Sequence, residues 1–139
     1  VREKKDGFRF SVKAKDMEGR GEKSRSYRDL EVWKLAVDFV KQIYQTTEKF
    51  PSKEIYGSTN QIRRASVSIP SNIAEGQGRN SVKEFRQFLA IALGSAAELE
   101  TQLIIAQEID YLPIEELEPL LAKLDRIRKM IKGLSGRLK

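Results

Sequence analysis

Arg63-Arg64-Ala65-Ser66-Val67-Ser68-Ile69-Pro70-Ser71-Asn72-Ile73-Ala74-Glu75-Gly76, closed by the turn Gln77-Gly78-Arg79, is the stretch on which the fold turns. Ile62, Ser66, Ile69 and Ile73 recur at alternating spacings of four and three, the period of one helix face. Pro70 stands inside that face with no N–H to donate and a ring that crowds the preceding turn, so the spacing predicts one helix bent at the proline. Ser66, Ser68 or Ser71 would satisfy carbonyls released by the bend. Gly76, just beyond the seam, is the expected stop.

Working outward, three more helices follow. Asp29 is a good N-cap for a first helix, about 30–50, with the seam Leu30, Trp33, Val37, Val40 and Tyr44. Ser52 can cap the second, about 53–75, which contains the opening stretch. Ser81-Val82-Lys83-Glu84 has the spacing of a capping box and starts a third helix, about 82–109, with the seam Phe85, Leu89, Ala92, Ala96, Leu99, Leu103 and Ala106. Gly94, Ser95 and Ala97 keep its middle slim for a close neighbour. The last helix, about 115–137, carries Leu117, Leu120, Leu124, Ile127, Ile131, Leu134 and Leu138 in an unbroken heptad. Pro119 there either delays the start to about Glu118 or distorts the first turns. Short turns between four amphipathic helices predict an all-α, antiparallel up-down-up-down bundle over 29–139.

Residues 1–28 lie outside this pattern and read as a basic arm, in which Phe8, Phe10, Val12 and Ala14 alternate with polar residues as in one short strand. Met17 is a plausible natural start for a chain that begins at Val1.

The 139 residues suit one domain, and they contain no Cys and no His. Disulfides, thiolate nucleophiles, imidazole bases and the usual zinc sites are thereby excluded. The carboxylates do not rescue a metal site, because a bundle-core site needs Glu-x-x-His partners. Glu75, Glu98 and Glu100 read as structural, Glu75 pairing with an arginine such as Arg79. No catalytic constellation, metal site or cofactor is expected. No unbroken apolar run approaches the ~20 residues that span a bilayer, which leaves a cytoplasmic protein with no membrane partner as the default.

The net charge of +6 is unevenly placed. Residues 1–28 hold ten Lys/Arg against five Asp/Glu, so the rest of the chain carries sixteen against fifteen. Within that rest, 98–118 has seven acids and no base, whereas 123–139 has seven bases and one acid. In the expected topology the arm, Arg79, Lys83, Arg86 and the cations of the last helix converge on one pole. Arg79, Lys83, Arg86, Arg128, Lys132 and Arg137 are the candidate contacts to nucleic acid. Gly76-Gln77-Gly78-Arg79 before a capped helix could cradle a phosphate, but two glycines in a tight turn need no ligand. Adjacent Arg63 and Arg64 cannot share one face, so one is solvated while the other touches a neighbour. Val32, Leu35, Phe39, Phe88, Ile91 and Ile105, with Ile104 and Ile109, exceed what one stripe needs; they form either a wide core face or a second face for self-association.

Three stretches resemble a known family: Tyr27-Arg28-Asp29-Leu30-Glu31-Val32-Trp33-Lys34, Ile69-Pro70-Ser71-Asn72-Ile73-Ala74-Glu75-Gly76, and Glu84-Phe85 through Gly94-Ser95-Ala96-Ala97-Glu98-Leu99-Glu100-Thr101. They are similar to the bacterial four-helix bundle proteins encoded in intervening sequences of 23S ribosomal RNA genes, over residues 27 to about 138, with Pro119 a departure. The resemblance implies a homopentamer with a basic surface and no catalytic residues. It also implies kinship with the accessory protein of diversity-generating retroelements, which binds a reverse transcriptase and nucleic acid. Two functions therefore stand open: an oligomeric, non-enzymatic module that binds RNA or DNA through its basic pole, and a scaffold or accessory subunit for a reverse transcriptase or ribosome-associated partner.

Overall fold

The computed structural model describes residues 26–139; the arm and its alternating stretch Phe8 to Ala14 lie outside the described residues, apart from the last few before the first helix. Four helices form the body: α1 (Glu31–Thr47), α2 (Ser58–Gln77), α3 (Val82–Glu108) and α4 (Ile114–Arg137). Two short 3-10 turns, Tyr27–Asp29 and Ser52–Glu54, precede α1 and α2, and there is no strand among the described residues. Each helix packs on two neighbours in the cyclic order α1, α2, α3, α4, with no contact across the diagonal.

Cross-contacts set the directions. Arg63, near the start of α2, donates to the Thr47 hydroxyl at the end of α1, and Ser68 meets Ser95 midway along α2 and α3 at 2.7 Å. Arg86 at the start of α3 reaches the last carbonyls of α4, and Lys123 of α4 meets Asp38 of α1 at 2.6 Å. All four neighbouring pairs are antiparallel, as short connections require.

Three seams lie where their periodicity puts them. Ile62, Ser66, Ile69 and Ile73 of α2 are buried, as are all seven seam positions of α3 and Leu117, Leu120, Leu124, Ile127 and Ile131 of α4. Each fully buried Leu or Ile contributes roughly 1.5–3 kcal/mol of transfer free energy. Leu134 and Leu138 are only half-buried.

The first seam is rotated. Val32, Ala36, Phe39, Ile43 and Thr47 face the core in place of Leu30, Trp33, Val37, Val40 and Tyr44. One residue is about 100° on a helix, and α1 carries two overlapping 3-4 stripes. The side chains decide between them: Trp33 and Tyr44 have polar tips that favour a boundary, whereas Phe39 and Ile43 have none. Trp33 stacks edge-on against Tyr27 at 5.1 Å, and the Arg63 guanidinium lies 4.5 Å over the Tyr44 ring, while Arg64 stays exposed. Val32 and Phe39 are thus part of the chain's own core and not of an exposed second face, and Leu35 packs half-buried against it.

Helix ends differ from expectation in instructive ways. Asp29 sits in the 3-10 turn, and Leu30 takes the N-cap position of α1 with no side-chain cap. Ser52 caps nothing: α2 begins six residues later, where Glu54 accepts the Ser58 N–H at 3.1 Å. A Cβ on Gly57 would stand 2.8 Å from that carboxylate oxygen, so the glycine leaves the cap its room. Ser81 does cap α3, accepting the Glu84 N–H at 3.2 Å.

α2 runs unbroken through Pro70, whose ring is buried, and through Gly76, ending only at Gln77. Gly76 is therefore no stop signal. A Cβ there would lie 2.8 Å from both Phe85 Cδ1 and Phe88 Cβ, so α3 crosses α2 where only hydrogen fits. The serines around Pro70 are used otherwise than expected: Ser66 donates to the Arg63 carbonyl, and Ser68 joins Ser95 and Asn72 in a polar knot between α2 and α3. Gly94 meets nothing within 4 Å, and Ala92, Ser95 and Ala96 supply the slim face instead. α4 starts at Ile114 and continues through Pro119, which is exposed so that the carbonyl it leaves unpaired can meet water.

Among the described residues α3 alone is long and apolar enough to cross a bilayer by length and composition, Glu98 and Glu100 having hidden this from a search for unbroken runs. Only 33% of its apolar window is buried in the bundle.

Candidate nucleic-acid interface

The antiparallel order brings the start of α1, the end of α2, the start of α3 and the end of α4 to one pole. The six candidate cations divide there into two groups.

Three are committed within the molecule. Arg79 pairs with Glu75 at 2.8 Å, one turn back as expected, lies 3.8 Å from Glu84, and stacks 5.0 Å over the Phe88 ring. Phe88 is accordingly half-buried between Gly76 and that guanidinium. Arg86 donates from Nε to the Ser135 carbonyl at 3.2 Å, which also accepts the Leu138 N–H at 3.4 Å, and from Nη2 to the Leu138 carbonyl, closing the C-terminal turn of α4. Arg128 is two turns from the pole and pairs with Glu100 of α3 at 3.0 Å, with its side chain only 19% exposed. Glu98, by contrast, faces outward and accepts from Gln102.

The other three point to water. Lys83, Lys132 and Arg137 are exposed and make no ion pair among the described residues. They carry charge that no acidic side chain among the described residues neutralises.

A groove of about 520 Å³ opens beside them, between the start of α1 and the last three turns of α4. Leu30, Val32, Met130 and Leu134 supply apolar lining, Asp29 and Glu31 line it from the α1 side, and Arg126, Lys129 and Arg137 from α4. Lys129 is shared with Asp125 at 3.2 Å and Glu31 with Lys34 at 3.6 Å. Arg126 has no such partner among the described residues. Sequence reasoning missed Arg126 and the groove. Arg126, Met130, Gly133 and Arg137 do lie at spacings of four, three and four on one face of α4, but the α1 side comes from a segment almost a hundred residues away.

The opposite pole is differently made. Tyr111 donates to Glu54 Oε2 at 2.8 Å, and its ring tilts against Phe50 at 5.6 Å. The Ser58 N–H and the Tyr111 hydroxyl hold the Glu54 carboxyl below its ordinary range, and the same bond raises the Tyr111 phenol. Lys49 bridges to Glu116 at 3.0 Å. No group of three or more Asp or Glu that could hold a metal occurs among the described residues.

Of the apolar residues in excess, Ile91 and Ile105 are exposed, at 51% and 52%. They fall in a second seam along α3, Gln87, Ile91, Gly94, Glu98, Thr101 and Ile105, with spacings of four and three and every member exposed.

The sequence model described as 23S rRNA-intervening sequence protein matches residues 28–133. A crystal structure of a protein with unknown function from the S23 ribosomal protein family of Bacteroides thetaiotaomicron VPI-5482 is similar at 25% identity and a TM-score of 0.67, covering 75% of this chain and 97% of that one. No curated protein matches the chain.

Proposed function

This chain belongs to the 23S rRNA-intervening sequence protein family, and we propose that it is a non-enzymatic, oligomeric module that contacts RNA or DNA through its basic pole. The observation that carries the proposal is the division among the pole's cations: Lys83, Lys132 and Arg137 are exposed and uncompensated while their neighbours are internally paired. Phosphate neutralisation is the ordinary use of such charges, and it makes affinity fall with salt.

The second seam of α3 supports association of copies. Ile91 and Ile105 are too exposed to serve the protomer, and Gly94 leaves room for a helix to approach closely. A pentamer is the count that the family resemblance implies. A ring of such poles would bind a long anion by avidity where one pole could not.

A filter-binding titration of the full chain against structured RNA across a salt series tests the pole. With Lys83, Lys132, Arg137 and Arg126 free of acidic partners among the described residues, log affinity should fall against log salt with a slope of about −2 or steeper. No binding at low salt, or an affinity that ignores salt, would overturn the reading. Light scattering on the eluting peak tests the assembly, for which a monomer at micromolar concentration is the contrary result.

A further inference from the structure

The groove at the basic pole has features that phosphate binding alone does not require. Its lining is largely apolar, with Leu30, Met130 and Leu134, and as an open groove of about 520 Å³ it has room for a flat ring without enclosing it. Cations stand on one side only. Asp29 and Glu31 line the other side, where they would repel a phosphate. A flat basic surface for a duplex backbone would be neither concave nor apolar, nor lined by acids.

We infer that the groove takes one unstacked nucleotide of a single-stranded nucleic acid, its base on the apolar lining and its flanking phosphates on Arg126 and Arg137. The inference rests on the nucleic-acid reading above and names the class of substrate for the same pole. Each part of the groove matches a part of such a nucleotide. No aromatic side chain lines the groove, so a base would rest by its apolar face on Leu30 and Leu134, with the polarisable thioether of Met130 a favourable contact for its ring. The exocyclic amine of the base donates to carboxylates of the kind that Asp29 and Glu31 supply. The phosphates on either side lie outside the groove, where Arg137 and Arg126 are exposed and free of acidic partners among the described residues. A duplex cannot present this combination, because its bases are stacked and paired.

The full chain is titrated by fluorescence anisotropy with a mixed-sequence single strand of about twelve nucleotides and with the duplex of the same sequence, at matched salt. The single strand should bind at least about tenfold more tightly. Met130→Gln, which keeps the length of the side chain while making the lining polar, should weaken the single strand about fivefold or more, leave the duplex within twofold, and leave the salt slope unchanged. Arg126→Ala with Arg137→Ala, both exposed, should lower the salt slope for the single strand by about 1.4. Circular dichroism of each variant confirms that the bundle is intact. Equal binding of the two nucleic acids, or a single-strand preference that survives all three substitutions, overturns the groove assignment while leaving the pole reading standing. Failure of both nucleic acids to bind at low salt overturns both.

Discussion

The two poles of the bundle are assembled from the same kinds of residue, yet they dispose of their polar groups differently. At the pole formed by the ends of α1 and α3, Glu54 satisfies the start of α2 and Tyr111 together, Phe50 seals the ring of Tyr111, and Lys49 is bound to Glu116. That end closes on itself. At the other pole Arg79, Arg86 and Arg128 are spent on the protomer, while Lys83, Lys132, Arg126 and Arg137 are left facing water beside an open groove. Among the described residues both poles leave charges bare, but of opposite sign, Glu108, Asp110 and Glu115 at the first and Lys83, Lys132, Arg126 and Arg137 at the second, so the second is the place to look for an anionic partner.

The largest effect should come from the crossing of α2 and α3 that supports the basic pole. Gly76→Ala places a methyl 2.8 Å from Phe85 Cδ1 and Phe88 Cβ and 3.3 Å from the Phe85 carbonyl, and a backbone atom cannot step aside as a side-chain tip can. Overpacking of this kind costs about 1–3 kcal/mol, read as a lower midpoint in urea unfolding with an unchanged slope. A midpoint equal to that of the parent would mean that the crossing yields enough for the better helix propensity of alanine, about 0.5–1 kcal/mol, to offset the clash.

Next in size is the closed pole. The Glu54 carboxyl is held below its ordinary range by the Ser58 N–H and then by the Tyr111 hydroxyl. The folded state therefore binds that proton less readily than the unfolded chain does. Its stabilisation is present above the ordinary carboxylate pKa and is lost as pH falls through the lower folded value. Melting temperatures measured from about pH 7 down to pH 3 should fall less steeply for Glu54→Gln than for the parent, because the amide cannot titrate. Parallel curves would show that other carboxylates govern the acid limb.

Much of this was legible in the sequence, and the exceptions share a cause. α2 and α4 each have a single apolar stripe, so periodicity alone fixes which side turns inward, and in α3, where apolar residues are in excess, the long regular run from Phe85 to Ala106 still marks the buried side. In α1 two stripes compete, and the outcome depends on whether Trp33 or Phe39 loses more by burial, which spacing does not encode. The charge polarity of the bundle follows from topology. What the cations do at the pole does not, because the partners of Arg86 are carbonyls some fifty residues away and belong to the end of another helix. Glu54 was similarly illegible as a cap, since its geometry depends on Gly57 beside it and on Tyr111 across the bundle. Local signals were readable; pairings between distant backbone ends were not.

A gain of stability is expected in the turn from α3 to α4, beside the closed pole. Asp110 has φ 68, and around it the Tyr111 N–H reaches the Ala106 carbonyl at 2.8 Å and the Asp110 N–H that of Gln107 at 3.1 Å. This is the helix ending at which glycine is usual, because a Cβ in the left-handed region costs about 1 kcal/mol or slightly more. Asp110→Gly should raise stability by up to about 1 kcal/mol, since the greater freedom of glycine in the unfolded chain offsets part of the relief. Chemical denaturation reads the change directly, and a loss would mean that the Asp110 side chain contributes a contact outweighing its backbone strain.

The smallest effect on stability is the most informative about the open pole, because there the two groups of cations should behave oppositely. Lys132 is exposed and holds nothing in the protomer, so Lys132→Ala should leave unfolding within about 0.5 kcal/mol of the parent. Its loss should appear only in nucleic-acid binding, as a salt slope reduced by about 0.7 to 0.9 per protomer. Arg86→Ala should show the reverse pattern. It removes two donors from the last carbonyls of α4, so it loosens the turn that carries Arg137 and lowers stability, while the slope changes only as far as that turn moves. Measuring unfolding and salt slope for both variants thus separates a charge kept for a partner from a charge kept for the fold. If Arg86→Ala lowered the slope by a full charge with stability intact, the helix-end bonds would be dispensable and Arg86 would belong with Lys132 among the groups that face the ligand.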